Sequence, residues 1–67
     1  MNIMDKIKEQ IARVEGLIEQ CEALPNNAGA VPAGKMKFTI KHARLAIKNV
    51  CTASMYFACA DLEDYQL

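Results

Sequence analysis

The chain has 67 residues, eight basic and eight acidic side chains, zero formal net charge and a 52% hydrophobic share without tryptophan. That length provides one small domain, which buries too little surface to be comfortably stable without disulfides, a metal or self-association. No uncharged stretch exceeds twelve residues, the length of Asn49 to Ala60, short of the roughly 20 that span a bilayer, and the charged residues from Asp5 onward are unlike an export signal. No membrane partner is expected, nor is a nucleic-acid polymer.

Ile3, Ile7, Ile11, Val14, Ile18 and Cys21 follow one another at steps of four and three, which predicts a first helix over about residues 3–24 with a narrow apolar seam. Lys6, Glu9, Arg13, Glu15, Glu19 and Glu22 make the solvated face, with Glu9 and Arg13 spaced to pair. Gly16 marks either a close helix contact or a tolerated defect. Pro25 and Asn26-Asn27 end the helix, because proline cannot continue the bonding and asparagine takes turn conformations. A connection over about residues 25–34 follows, although Pro32 also suits the first turn of the next helix.

A longer second helix is predicted from Lys35 to about Leu62, with Met36, Ile40, Ala43, Ile47, Val50, Ser54, Phe57 and Ala58 along the face that packs on the first. A separate sector holds Phe38, Leu45, Thr52 and Tyr56, more apolar surface than one antiparallel partner covers. The expected fold is therefore all-α, a single domain over residues 1–67 in which a two-helix antiparallel hairpin assembles into a homo-oligomeric bundle. Ala43, Ala46, Ala53, Ala58 and Ala60 would let further helices approach closely. The acids Asp61, Glu63 and Asp64 fall at a frayed end, for solubility or for pairing with a neighbouring copy's bases.

The three cysteines, Cys21, Cys51 and Cys59, are an odd number within helical patterns, so they are read as reduced and largely buried, which places the chain in the cytoplasm. No C-x-x-C is present and His42 is nine residues from the nearest cysteine, so no metal or other cofactor is expected. Nor is there a paired carboxylate in the basic half, a helical Cys-His spacing or a Ser/His/Asp set, so an enzyme is not expected.

The main functional clue is a stripe of bases. Lys37, Lys41, Arg44 and Lys48 recur at steps of four, three and four, within a sector of about 60° on a helical wheel. Together with Lys35 they make five bases over residues 35–48 without one acid. Lys/Arg arrays and helix N-termini both attract phosphates and carboxylates. Gly29 to Lys35 also matches the spacing of a phosphate-binding G-x-x-x-x-G-K loop, but Met36 stands where the magnesium-holding Ser/Thr belongs and no strand precedes it. Nucleotide hydrolysis is set aside, while phosphate contact from such a loop is retained. Thr39 adds a hydrogen-bonding group, and the predicted ligand site is Lys35, Lys37, Thr39, Lys41, Arg44 and Lys48. Of the polar run Asn49, Thr52 and Ser54, the hydroxyls satisfy themselves on the preceding turn, or the three cluster around an oligomer axis and line a small polar pocket for a base or ribose; Tyr56 suits either role.

The segments His42-Ala43-Arg44-Leu45-Ala46-Ile47-Lys48 and Ala53-Ser54-Met55-Tyr56-Phe57-Ala58 resemble the basic Ala-Ile segment and the following small-polar, Met/aromatic turn of the phage cyclic-nucleotide sponges, the anti-CBASS and Thoeris anti-defence hairpin family. The resemblance covers about half the chain, and Lys48-Asn49 replaces that family's Arg-Thr pair. It implies a homo-oligomer, acting in the host cytoplasm, that binds cyclic dinucleotides or trinucleotides between protomers without cleaving them and so blocks host antiviral signalling. The alternative is a hairpin interaction module that docks a protein partner or a structured RNA through the same stripe. A third reading, a structural bundle subunit, treats the stripe as plain surface.

Overall fold

The computed structural model describes residues 2–66; Met1 and Leu67, the outermost residues of the expected domain, lie outside them. The described residues form α1 (Ile3–Glu22), a 3-10 turn (Pro25–Asn27), α2 (Ala30–Lys48) and α3 (Thr52–Glu63), with no strand among them. The all-helical expectation holds. The two-helix hairpin gives way to three mutually packed helices, with overall extents of 39 × 19 × 16 Å.

Helix α1 follows its sequence closely. Asn2 caps it, its Oδ1 accepting the Asp5 amide at 2.9 Å, and Asp5 places a negative charge in the first turn. The buried side chains are Ile7, Ile11, Val14, Ile18 and Cys21, the seam that the spacing predicts. Beyond Ala23 the chain turns through Asn26 and Asn27, both left-handed with φ of 58° and 57°, a region that asparagine tolerates better than most residues.

The connection is shorter than the sequence suggests, because α2 begins at Ala30 and not near Lys35. Pro32 sits in its first turn, where an amide proton has no helical partner to lose. Gly29 caps the helix and is buried against the end of α1, where a Cβ would overlap the carbonyl of Cys21. This glycine serves close packing of two backbones. Gly16 and Gly34 have open space where a Cβ would stand, so the close contact considered for Gly16 is absent.

The long second helix breaks at Asn49-Val50-Cys51. Val50 takes φ of 50°, its amide donates to Ile47 O at 3.1 Å, and the Cys51 amide donates to Ala46 O at 3.0 Å. These two bonds satisfy the last carbonyls of α2 in a Schellman arrangement, which usually places glycine where Val50 stands. A β-branched residue there costs on the order of 1–3 kcal/mol. Folding α3 back buries Met55, Ala58, Cys59 and Leu62. Burial of each large side chain contributes about 1.5–3 kcal/mol, so burying Met55 and Leu62 together outweighs the strain.

One contiguous core joins the three helices. Ile7, Ile11, Val14 and Ile18 of α1 meet Met36, Ile40, Ala43 and Ala46 of α2 and the buried face of α3, and no polar side chain is buried among the described residues. The alanine expectation holds for Ala43, Ala46 and Ala58, whereas Ala53 and Ala60 are exposed.

Arg13 fastens the end of α3. Instead of pairing with Glu9, its guanidinium donates to Leu62 O at 2.7 Å, to Tyr65 O at 2.9 Å and to Gln10 Oε1 at 2.8 Å. A cation on the last carbonyls of a helix matches the helix dipole. Arg13→Ala is expected to lower unfolding stability by about 1–2 kcal/mol, read from urea denaturation.

Glu63 is likewise engaged within its own chain. Its carboxylate lies 3.0 Å from Lys6 Nζ. The hydrogen bond and charge of Lys6 lower the Glu63 pKa, and those of Glu63 raise that of Lys6. A depressed carboxyl contributes stability that is complete above its unfolded value, near pH 4.3 by the usual scale of about 4–5, and lost as pH falls through the folded value. The raised Lys6 contributes stability below its unfolded value that is lost as pH rises through the folded one. Glu63→Gln should therefore shallow the acid side of the melting-temperature profile and leave its neutral region nearly level, the pair being exposed.

Candidate functional site

The basic stripe lines one wall of a groove between α1 and α2. Ile18, Ile40 and Leu45 contribute its apolar surface, Lys37, Lys41, Arg44 and Lys48 its basic side, and Glu15 and Glu19 the opposing rim, around an open volume of about 570 Å³. The helical spacing thus brings together the four bases that it predicts.

Two of them are occupied. Lys37 Nζ donates to Glu22 Oε2 at 3.1 Å, and Arg44 Nη2 donates to Glu15 Oε2 at 2.9 Å. The seven-residue step from Glu15 to Glu22 matches the seven-residue step from Lys37 to Arg44 in the antiparallel neighbour, so both bridges form across the same helix pair. All four side chains are at least half exposed, and such pairs contribute about 0.2–1 kcal/mol each. A phosphate could therefore displace either carboxylate at small cost. Lys41 and Lys48 have no carboxylate within ion-pair distance among the described residues.

Lys35 and Thr39 do not join this groove. Lys35 is exposed and lines neither of the two larger grooves. Thr39 lies on the α3 side, its hydroxyl 3.0 Å from Lys35 O and 2.9 Å from the Tyr65 hydroxyl. With the Thr39 proton given to the carbonyl, the Tyr65 hydroxyl donates to Thr39, which ties α2 to the segment after α3. The phosphate-loop reading also fails locally. Residues 30–36 are α-helix, not a loop of convergent amides, and the buried Gly29 packs against Cys21.

A second groove of about 440 Å³ runs between α2 and α3, lined by Phe38, His42, Leu45, Asn49, Ser54 and Phe57 among others. The Phe38 and His42 rings are 4.5 Å apart at a tilt of 54°. Asn49 and Ser54 line this groove, whereas Thr52 and Tyr56 do not. Periodicity alone did not point to this groove, because it arises from the break at Val50.

The three thiols are free and differ in setting. Cys21 and Cys59 are buried as expected, while Cys51 is exposed at the N-cap of α3. Hydrogen bonding by the Ser54 side chain, then by its backbone, lowers the Cys51 pKa. Burial, then the Glu63 charge, raises that of Cys59. Among the described residues no three His, Cys, Asp or Glu side chains are grouped to hold a metal, and no helix is long and apolar enough to cross a membrane.

Compared with known protein families, curated proteins and solved structures, the chain matches none.

Proposed function

We propose that the protein is a non-enzymatic binder of a small phosphate-bearing molecule, taken in the α1–α2 groove. The observation that carries this reading is the combination of an apolar surface, Ile18, Ile40 and Leu45, with the ammonium groups of Lys41 and Lys48 on one side, which have no ion-pair partner among the described residues. A ligand with flat apolar bases and anionic linkers, such as a cyclic oligonucleotide, offers both complementary parts. Charge-assisted bonds to phosphate would supply affinity, with Arg44 recruited from Glu15.

The sequence resemblance to cyclic-nucleotide sponges motivates that ligand class and a role in withdrawing a host antiviral signal. The free thiols fit a reducing compartment such as the cytoplasm. Association of copies is proposed because Phe38, Leu45, Tyr56 and Phe57 remain exposed on a small domain.

Calorimetric titration with a panel of cyclic dinucleotides and trinucleotides tests the reading. Binding that is lost in Lys41→Glu/Lys48→Glu and strengthened in Glu15→Gln is expected; absence of heat for every member at micromolar concentration would reject it. The Phe38, Leu45 and Phe57 side of the second groove favours one other reading, a module that docks a protein partner. Binding of a protein partner that survives the lysine substitutions and is lost in Phe57→Ser would favour that module.

A further inference from the structure

The turn between α2 and α3 lacks the glycine that such turns usually place at their left-handed position. Its left-handed position is held by Val50, 70% exposed, with neither glycine nor proline from Lys35 to the end of α3. β-Branched residues are outliers in that conformation, and nothing packed around this side chain compensates. The segment carries no glycine or proline that would itself stop the helix.

A second observation points the same way. Met36, Ile40, Ala43, Ile47, Val50, Ser54 and Phe57 lie at steps of four, three, four, three, four and three, a heptad seam that runs through the break without a phase change. The closed chain buries the first part of that seam and interrupts the rest: Val50 is 70% and Phe57 74% exposed. Helix α3 is apolar on both sides, with Met55 and Leu62 in the core and Tyr56 and Phe57 outside it. A helix apolar all round is usually covered from two directions.

We propose that Asn49–Cys51 is the hinge of a domain-swapped dimer, in which α2 and α3 straighten into one helix over residues 30–63 and α3 packs on the core of a second copy. Straightening releases the left-handed Val50 and brings Val50 and Phe57 into line with Ile40 and Ile47. The contacts that hold α3 in the closed chain, Arg13 to the Leu62 and Tyr65 carbonyls and Lys6 to Glu63, re-form between chains with the same partners. Exchange of identical elements therefore keeps the native contacts and adds the seam, a low-cost route to association.

The hinge and the closed contacts give the test. Size-exclusion chromatography with light scattering is run over a concentration series on wild type, Val50→Gly, which accepts the left-handed turn, and Asn49→Ala/Val50→Ala, which favours continuous helix. Wild type should show a concentration-dependent dimer of twice the 7.4 kDa chain mass. Val50→Gly should shift it to monomer and the double-alanine variant to dimer. In the isolated dimer made from mixed isotope-labelled and unlabelled chains, carbodiimide should join Lys6 to Glu63 between chains. Monomer at every concentration in both wild type and the double-alanine variant would overturn the swap, as would a dimer whose Lys6–Glu63 crosslinks are all within one chain.

Discussion

Gly29→Ala is expected to destabilise the protein by about 3 kcal/mol or more, because the added methyl would overlap the backbone carbonyl of Cys21 and push α1 and α2 apart. No flexible side chain can yield there, since the opposing atoms belong to the main chain. Gly16→Ala and Gly34→Ala are expected to do the opposite. Both lie inside helices with open space at the Cβ position, and alanine should stabilise by about 0.4–1 kcal/mol through reduced unfolded-state freedom. Urea midpoints of the three variants make the comparison internally controlled. Three losses of equal size would contradict this account of how α1 meets α2.

Leu62→Ala should have an effect of similar size through a different cause. Leu62 is fully buried, belongs to the core that the three helices share, and its carbonyl also receives the Arg13 guanidinium. Removing its branched end leaves a cavity that costs about 2–5 kcal/mol. A domain of this length has roughly 3–10 kcal/mol in total, so the variant should be partly unfolded at room temperature. Helical circular dichroism against temperature reads the loss. Phe57→Ala, which removes a larger but exposed side chain, should leave the melt of dilute protein nearly unchanged.

What was legible in the sequence was what a single helix encodes about itself. The steps from Ile3 to Cys21 define α1 and its buried seam, and the steps from Lys37 to Lys48 define a wall of the groove. The loop boundary was less legible because Gly29, Pro32 and Gly34 look like loop residues, whereas Pro32 fits a first helical turn and Gly34 is carried within α2. The break at Val50 has only a weak local signal, Asn49 ahead of it, without glycine or proline. It depends on what the buried side of α3 gains by folding back, a tertiary term that periodicity does not contain. The partners of Lys37 and Arg44 were hidden for a related reason: Glu22 and Glu15 read as a solvated face until the register of α1 against α2 is known. Thr39 is close to the lysines in sequence, but its rotation around α2 turns it toward Tyr65.

These positions separate the two grooves and so separate the two binding readings. Lys41, Lys48 and Ile18 belong to the α1–α2 groove alone, while Phe38, Ser54 and Phe57 belong to the α2–α3 groove alone. The most direct measurement is an amide-resolved NMR titration of the wild-type protein with a cyclic trinucleotide and a cyclic dinucleotide. Saturable shifts centred on Ile18, Lys41 and Lys48 are expected; no shifts with either ligand, or shifts confined to Phe38, Ser54 and Phe57, would contradict binding in the α1–α2 groove.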